Sequence, residues 1–366
     1  MVLNVGIIGV GMAFEKLHYP AFQELSDRYR IAALCDVDIE KARYWAGILG
    51  LKDTDIFSNY MEIARREDID VFDIMVPIPL NYKVTEDVAR EIAGTGKGII
   101  CEKPTAANLE DARAHSELPR RFDVPIMIAE NYRYNEDTNI IRDMIRNETI
   151  GKIHYFIHNR VMDFLEDMTK DKFPAREWRQ YPDYPGGAFF DSGIHDLAGL
   201  RHVFGPVTSL HAFGRPQNFS FSPYSVVNTN IQFQSGVTGQ FSFFCAGKEA
   251  QAPFVGTRIF GTEGMIYLES RDCGVINVAY NDGKREEIAF TPQRGYYNEL
   301  LNIHNALEGL EPLFVTPEVC YGDTKMALDI LKSIEEGTVI SPVDGEEAGD
   351  TSGRLREKTD HSFIIR

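Results

Sequence analysis

The sequence predicts an α/β protein with two domains, a doubly wound parallel sheet followed by an α+β domain whose large, open sheet is mostly antiparallel. Up to about residue 125, short apolar runs alternate with helical patterns, which is the signature of βαβ units. Beyond residue 138 the chain changes to longer segments of alternating polarity, separated by glycine-bearing turns. Its 366 residues suffice for a sizeable core in each domain.

The first domain is placed at residues 1–128, where the strands are apolar on both faces, as in a parallel sheet covered by helices. Each strand is followed by a helical pattern long enough to return the chain for the next parallel strand. The expected strands are residues 5–8, 31–35, 70–76, 98–101 and 125–128, and the expected helices are residues 18–25, 39–48, 85–93 and 108–118.

The second domain is placed at residues 129–342, and residues 343–366 are expected to form a polar tail because they show no periodicity. Alternation of polar and apolar residues indicates strands with one face on a core. The expected strands are residues 152–163, 226–234, 239–245, 258–260, 265–268, 275–280 and 286–290, with helices at residues 139–146, 297–307 and 319–335.

The composition excludes several classes of protein. A formal net charge of −17 and a pI near 5.0 argue against nucleic acid or an anionic membrane as partner, since both require a basic surface. No run approaches the roughly 18 uninterrupted apolar residues of a membrane span, so none is expected. The five cysteines are scattered without a CxxC pair, which predicts neither a zinc ribbon nor a disulfide framework and favours the cytoplasm.

A glycine-rich turn, GVG at residues 9–11, lies between the first strand and the first helix. Such a turn lets backbone N–H groups and the helix N-terminus face a pyrophosphate, although glycines also occur at βα turns for steric reasons alone. Phe14 stands where a third small residue is usual. Asp36 ends the second strand, about 25 residues further on, where a carboxylate can accept ribose hydroxyls and repel a 2′-phosphate. This favours NAD over NADP, and Asp38 can cap the next helix in its place.

Two further segments carry candidate chemistry. Lys103, in IICEKP at residues 99–104, lies at the carboxyl edge of the sheet, where ligands bind in doubly wound folds. In FFDSGIHDLAG, residues 189–199, Asp191 and His195 share one helix face because they are four positions apart. Taken alone, Lys103 could be an ordinary surface lysine, and the Asp–His pair could be a metal site, a helix cap or an acid/base centre.

The order of these motifs along the chain resembles the glucose–fructose oxidoreductase/inositol dehydrogenase (Gfo/Idh/MocA) family, over nearly the whole chain. The segments that carry the resemblance are GVG (9–11), Asp36, VPIP (76–79), EKP (102–104), AENYRY (129–134), Trp178-Arg179, GGAFFDSGIH (186–195) and GTEG (261–264). The sequence departs from the family pattern at Phe14, at Lys83, where histidine is common, and at Ala198, where aspartate is frequent. The departures at Lys83 and Ala198 affect the expected substrate contacts rather than the expected fold.

The resemblance implies a Rossmann domain that binds NAD(P), and a second domain for substrate and for a homodimer or homotetramer through its sheet. It also implies hydride transfer at a carbinol or carbonyl carbon of a sugar, polyol or cyclitol. The expected cofactor-binding residues are Gly9, Gly11, Met12, Ala13, Phe14, Asp36, Val76, Pro77, Ile78, Asn81, Glu102, Lys103 and Asn131. The expected substrate-binding residues are Lys103, Tyr132, Arg133, Trp178, Arg179, Asp191 and His195.

The catalytic residues are expected to be Lys103, Asp191 and His195. Histidine suits removal of a hydroxyl proton near pH 7, with Asp191 orienting the ring of His195 and Lys103 stabilising negative charge on the substrate oxygen. Lys103 could itself transfer the proton, and that choice stays open. No metal is expected, because Asp191, His195 and Asp196 have no second histidine nearby before His202.

Two other functions suit the same fold. One is a glycosidase that uses NAD transiently, without net redox turnover. The other is a regulator that senses the cofactor and does not catalyse, against which the intact Lys103, Asp191 and His195 weigh. His18, in LHYP, is expected to start a helix beside the nicotinamide and to line the cleft.

Overall fold

The computed structural model describes residues 1–164, 168, 178–248, 251 and 255–341, without the side chain of Trp178. The chain forms two compact units, one of residues 1–131 with 296–324, the other of residues 132–295 with the chain from residue 325 onward. One boundary was expected, at residue 128, whereas the chain changes unit after residue 131 and residues 296–324 return to the first unit. The expected tail, residues 343–366, lies outside the described residues.

The first unit contains a sheet of six parallel strands in the order β3-β2-β1-β4-β5-β6. The strands are β1 (Leu3–Ile8), β2 (Tyr29–Cys35), β3 (Ile56–Phe57), β4 (Val71–Ile74), β5 (Gly98–Glu102) and β6 (Ile126–Ala129). This order confirms the predicted doubly wound sheet. It reverses between β1 and β4, and ligands bind at the carboxyl ends of strands at such a point.

Helices follow the strands of this unit, and all were predicted except the short helix over residues 60–64. They are a π-helical turn (Phe14–His18) leading into α1 (Tyr19–Glu24), then α2 (Ile39–Leu49), α3 (Tyr60–Ala64), α4 (Asn81–Glu91) and α5 (Leu109–Phe122). Side chains cap three of them: Asp38 accepts from the backbone N–H of Glu40 at the start of α2, and Asn59 and Asn108 begin α3 and α5 in the same way. Asp36 is therefore not needed as a cap.

The second unit contains an eight-stranded sheet in the order β14-β13-β12-β11-β7-β10-β9-β8, antiparallel except where β7 pairs with β10. Its strands are β7 (Ile153–Val161), β8 (Val207–Pro216), β9 (Tyr224–Phe233), β10 (Thr238–Phe244), β11 (Gly256–Gly261), β12 (Gly264–Leu268), β13 (Val275–Tyr280) and β14 (Arg285–Ala289). This confirms the predicted open, mostly antiparallel sheet. The strand β8 was not predicted from the sequence.

The remaining helices are α6 (Glu136–Arg146), α7 (Ile194–Phe204), α8 (Gly295–Leu307) and α9 (Pro317–Glu336). Most of α8 and the first residues of α9 belong to the first unit, where the Tyr29 hydroxyl donates to the carbonyl of Leu300 at 2.5 Å. Within the described residues, no helix combines the length and the apolar composition that crossing a membrane requires.

Aromatic side chains form the core of the second unit. Phe156, on β7, stacks on Phe204 at the end of α7, with ring centroids 4.9 Å apart, and lies 5.8 Å from Phe233. A Cβ atom at Gly239, on the neighbouring β10, would lie 2.1 Å from the Phe156 ring, so glycine makes room for it. This packing holds α7, the helix that carries His195, against the sheet.

We predict that Phe156→Ala lowers the free energy of unfolding by about 3–5 kcal/mol, because it leaves a cavity under α7. The matched control is Tyr181→Ala, since Tyr181 is 81% exposed in the second unit and its truncation should change stability by less than about 0.5 kcal/mol. Denaturant titration of both variants measures the difference. Equal effects of the two substitutions would contradict this description of the core.

Candidate active site

The turn after β1 has the shape that a bound pyrophosphate requires. Gly9 has φ +97°, and a Cβ atom there would lie 2.2 Å from the carbonyl oxygen of Met75, so no other residue fits. Gly11 has no neighbouring atom within 4 Å of its Cβ position, which leaves its backbone open to a ligand. Met12, Ala13, Val76 and Pro77 are half-buried at the same edge of the sheet. These residues fit the phosphates of a dinucleotide.

Asp36 is held firmly beside this turn. One carboxylate oxygen accepts from the backbone N–H of Val10 at 2.9 Å, and the other accepts from the N–H of Asp38, also at 2.9 Å. The side chain remains half-buried, so it reaches the surface at the carboxyl edge of the sheet. Each oxygen keeps a second lone pair that can accept a hydroxyl group of a ligand.

Three residues that were expected to contact the cofactor lie beneath this surface instead. Phe14 is fully buried, with its ring 4.9 Å from Trp45 in an edge-on contact. Ile78 is 2% exposed, and Asn81 is fully buried. They therefore support the cofactor edge from below. Sequence spacing could not reveal this, because it does not tell which face of a turn is covered.

Like Asn81, whose side-chain oxygen is also buried without a hydrogen-bond partner among the described residues, Asn131 has a buried acceptor. It follows β6, is 7% exposed, and its side-chain oxygen has no hydrogen-bond partner among the described residues. A buried acceptor without a partner costs free energy, so it is an acceptor that a bound ligand can satisfy. Asn131 accordingly fits its expected place among the cofactor-binding residues.

The EKP turn after β5 is fixed by hydrogen bonds on both sides of Lys103. The backbone N–H of Lys103 donates to Oε2 of Glu102 at 3.1 Å, and the Lys103–Pro104 peptide bond is cis. The Asn81 amide donates to the carbonyls of Glu102 and Pro104, at 2.8 and 2.7 Å. Lys103 itself is half-buried. The turn thus holds the lysine backbone at the carboxyl edge of the sheet.

A buried ion cluster lies behind this turn. Nδ1 of His18 is 2.8 Å from Oδ2 of Asp73, and Nε2 of His18 is 3.0 Å from Oε1 of Glu102. Burial disfavours the charged imidazole, but the two carboxylates outweigh it and raise the pKa of His18 well above its usual range. His18 is therefore a buried cation. The expectation that it lines the cleft is wrong, since the side chain is fully buried.

Glu299, on α8, adds an unusual carboxyl group to this cluster. The side chain is fully buried, and neither oxygen has a hydrogen-bond partner among the described residues. Burial raises the pKa of Glu299 well above its usual range; the His18 cation opposes the shift, while Glu102, Glu130 and Asp73 add to it. Glu299 is accordingly a buried carboxyl group of the first unit whose surroundings favour the protonated form.

The second unit presents Asp191 and His195 at the start of α7. The preceding glycines are required, because Gly187 has φ +50° and a Cβ atom there would lie 2.3 Å from the carbonyl oxygen of Phe221. Asp191 lies in a π-helical turn, Phe189–Gly193, and accepts from Nε of Arg179 at 2.7 Å. The half-buried His195 ring stacks on Tyr132, with ring centroids 4.7 Å apart and planes 19° from parallel.

Asp196 serves a different purpose from its neighbour. It lies 2.9 Å from Nε2 of His158 and accepts from Arg160 at 2.8 Å. Burial opposes its ionisation, but Arg160 and His158 together hold the pKa of Asp196 well below its usual range. Asp196 thus anchors α7 to β7 through its pairs with Arg160 and His158. Within the described part of the chain, no three His, Cys, Asp or Glu side chains are grouped as metal ligands.

A cavity of about 310 Å³ lies in the second unit, with Tyr132 in its wall. The Tyr132 hydroxyl accepts from Arg160 at 3.0 Å, and Arg271 also contacts it. Asp137 lines the same cavity, and burial raises the pKa of Asp137 to about 6. Tyr132 therefore lies both in the wall of this cavity and against the His195 ring. Arg160 and Arg271 were not predicted as site residues, because isolated arginines in strands and turns match no sequence motif.

The other two expected substrate residues differ in position. Arg133 is 3% exposed, and its guanidinium lies 3.4 Å from Nδ1 of His202. The side chain of Trp178 lies outside the described residues, although its backbone forms a short 3-10 turn, Trp178–Gln180.

Two family models match the chain, one in each unit. An oxidoreductase family with an NAD-binding Rossmann fold matches residues 3–130, and the GFO/IDH/MocA C-terminal domain matches residues 139–267. The chain belongs to the GFO/IDH/MocA family. The expected family, the Rossmann domain and the assignment as an oxidoreductase are thereby confirmed.

Relatives in this family include named sugar dehydrogenases. Levoglucosan dehydrogenase of Pseudarthrobacter phenanthrenivorans is 26% identical over 373 residues, covering 93% of this chain and 91% of its own. D-apiose dehydrogenase of Paraburkholderia graminis is 28% identical over 288 residues, covering 78% and 72%. The crystal structure of the WlbA dehydrogenase from Bordetella pertussis with NADH and UDP-GlcNAcA has a TM-score of 0.77 at 18% identity, covering 94% and 100% of the two chains. That last likeness concerns the fold.

We predict that Glu299→Gln stabilises the protein increasingly as the pH rises from 5 to 8. A carboxyl group whose pKa is raised by folding contributes stability below its unfolded pKa, and this contribution is lost as the pH rises towards the folded pKa. Glutamine does not titrate, so the variant should exceed the natural protein by at least about 1 kcal/mol in free energy of unfolding at pH 8.

The control is Glu117→Gln, which removes an exposed carboxylate on α5 of the same unit. Denaturant titrations of both variants at several pH values provide the comparison. A difference between Glu299→Gln and the natural protein that is the same at pH 5 and pH 8 would show that Glu299 is not a raised carboxyl group.

Proposed function

We propose that this protein is an NAD-dependent dehydrogenase that oxidises a CH–OH group of a sugar or polyol, or reduces the corresponding carbonyl. The observation that carries the proposal is that each unit contains residues of the types that hydride transfer requires. The first has an open glycine turn with Asp36 and Lys103, and the second has Asp191 and His195. The names of the relatives, levoglucosan and D-apiose dehydrogenase, support a sugar as substrate.

The cofactor in this proposal is NAD rather than NADP. The Asp36 carboxylate is fixed by two backbone N–H groups at the end of β2, where the adenosine ribose of a dinucleotide binds in this fold. Its remaining lone pairs suit two ribose hydroxyls. A 2′-phosphate in the same place would meet a negative charge that cannot move away.

The residues of the second unit would handle the proton. When bound, the nicotinamide supplies the hydride acceptor or donor. His195 removes the hydroxyl proton as the carbonyl forms, and the stacked Tyr132 ring restricts how its imidazole can turn. Asp191, paired with Arg179, is the group proposed to orient the histidine and to balance the charge that it gains.

Lys103 would act on the substrate oxygen. Its ammonium group stabilises the alkoxide that develops there, and the hydrogen-bonded EKP turn holds its backbone in place so that little reorganisation is required. Lys103 and His195 are both able to exchange the proton with this oxygen. The pH dependence of their separate variants distinguishes the two, since only loss of the proton-transfer group removes a limb of the pH–rate profile.

Two further properties belong to the proposal. We place the protein in the cytoplasm, which is supported by five cysteine thiols that form no disulfide, four of them buried. We also propose a homodimer or homotetramer formed through the sheet of the second unit. Its outer strand β8 carries Phe213, which is 61% exposed and suited to an interface.

We predict that Asp36→Ala raises the ratio of kcat/KM with NADP to kcat/KM with NAD at least about tenfold, because it removes the charge that rejects the 2′-phosphate. Asp38→Ala is the matched control, since it removes a neighbouring exposed carboxylate that caps α2. Initial rates with both cofactors give the two ratios. An unchanged ratio in Asp36→Ala would refute the ribose assignment.

The experiment that tests the function is a screen of sugars, polyols and anhydrosugars for net formation of NADH. We expect at least one sugar-like alcohol to be oxidised by the natural protein. Lys103→Ala and His195→Ala should each lower its kcat/KM by about 100-fold or more, because each removes a group that acts only on the reacting oxygen.

The outcomes separate the alternatives. Cleavage of an aryl glycoside without net NADH would support the transient use of NAD by a glycosidase. Tight NAD binding with no turnover of any alcohol would support a cofactor-sensing regulator. If both alanine variants retain activity within a few-fold of the natural protein, the catalytic roles assigned to Lys103 and His195 are wrong.

A further inference from the structure

We propose that His18 is a positioning residue, which holds the backbone of Lys103 in place through the carboxylate of Glu102. The importance of Lys103 for turnover rests on the proposed function, whereas the mechanical link rests on the first unit alone. His18 lies 85 positions before Lys103 in the chain. It is fully buried, so it contacts neither cofactor nor substrate.

A continuous series of hydrogen bonds forms the link. Oδ2 of Asp73 meets Nδ1 of His18 at 2.8 Å, and Nε2 of His18 meets Oε1 of Glu102 at 3.0 Å. The other oxygen of the same carboxylate, Oε2, accepts from the N–H of Lys103 at 3.1 Å. One oxygen of Glu102 contacts His18 and the other contacts the N–H of Lys103. His18 therefore fixes the orientation of the carboxylate, and the carboxylate fixes the position of the Lys103 N–H.

The cluster also joins three structural elements. His18 ends the π-helical turn that follows the glycine turn, Asp73 lies on β4, and Glu102 ends β5. The carboxyl ends of β4 and β5 belong to the edge at which the cofactor would bind. One buried cation thus ties the glycine turn to the lysine turn.

Within the described residues, the other hydrogen bonds of the EKP turn do not involve the N–H of Lys103, so the Glu102 carboxylate is the group that connects His18 to this N–H. The Asn81 amide donates to the carbonyls of Glu102 and Pro104, and further along the Thr105 carbonyl meets Nδ1 of His115 at 2.8 Å. These bonds hold carbonyl groups. The N–H of Lys103 is instead held by the Glu102 side chain, whose own position depends on the imidazolium.

The charges around His18 explain what its loss would do. It faces Asp73 on β4 and Glu102 on β5, with Glu299 of α8 nearby and the Tyr296 ring 5.9 Å from its own. Without the cation, two carboxylates would remain in an apolar interior with no opposite charge between them. One of them must then take up a proton or turn away, since an unpaired buried charge is costly. Either change weakens the hydrogen bond between the Glu102 carboxylate and the N–H of Lys103.

The test is amide hydrogen exchange of the protein without ligand, followed in a peptide that covers residues 99–105. In His18→Gln and in Glu102→Gln, exchange in this segment should rise at least about tenfold. The double variant should rise no further than the larger single effect, because both substitutions break the same link. Additive effects, or no rise in either single variant, would overturn the proposal.

Two controls guard against a general loss of stability. A peptide from β1, residues 3–8, reports on global opening and should change much less than the 99–105 segment. His304→Gln removes another buried histidine of the same unit, one whose Nε2 meets the carbonyl of Met1 at 2.9 Å, and should leave residues 99–105 unchanged. If His18→Gln folds poorly, the isosteric Asp73→Asn weakens the same cluster with less disturbance. It should raise amide exchange in residues 99–105 by a smaller factor and leave residues 3–8 unchanged.

Turnover provides the second measurement, with the substrate found in the screen. His18→Gln should lower kcat at least about tenfold, while the NADH dissociation constant stays within about threefold, because the misplaced group acts on the reacting oxygen. Faster exchange with unchanged kcat would refute the role of this link in positioning Lys103 for reaction. If the natural protein oxidises no alcohol, the proposed function fails, and hydrogen exchange alone decides whether His18 holds Lys103.

Discussion

The buried cation of His18, between Asp73 and Glu102, is the interaction on which the carboxyl edge of the first unit depends. It pairs with two carboxylates, one on β4 and one at the end of β5, and it connects the helix after β1 with both strands. Burial of charge is costly unless it is paired. Part of this cost is offset here, because both ring nitrogens of His18 and both oxygens of Glu102 are hydrogen-bonded, whereas Oδ1 of Asp73 has no partner among the described residues.

The second unit also contains a buried carboxylate, Asp196, and an arginine is one of its partners. Asp196 and His195 are adjacent in sequence, so their side chains leave α7 in directions about 100° apart. Asp196 is bound by Arg160 and His158, which anchors α7 to β7, whereas His195 stacks on Tyr132. Arg160 also bonds the Tyr132 hydroxyl. The charged anchor therefore stabilises the ring against which the candidate catalytic histidine lies.

Much of the fold was predictable, because helices and strands follow local periodicity. The parallel sheet, the open antiparallel sheet and most helices were located from apolar patterns alone. The strand β3 was missed, since its two residues are too few to display a period. The return of residues 296–324 to the first unit was missed for another reason: a helical pattern shows that a face is apolar, but not which unit covers it.

For the candidate site, the sequence by itself determined the glycine turn, Asp36, the EKP lysine and the Asp–His spacing, because each depends on residues close together in the chain. Only the tertiary structure decided which of them reach a surface and what holds them. It buried Phe14, Asn81, Arg133 and His18, which the motifs had suggested as contacts. His18 meets partners 55 and 84 positions away. The charge of a buried group depends on such neighbours and on exclusion of water, and folding alone brings these together.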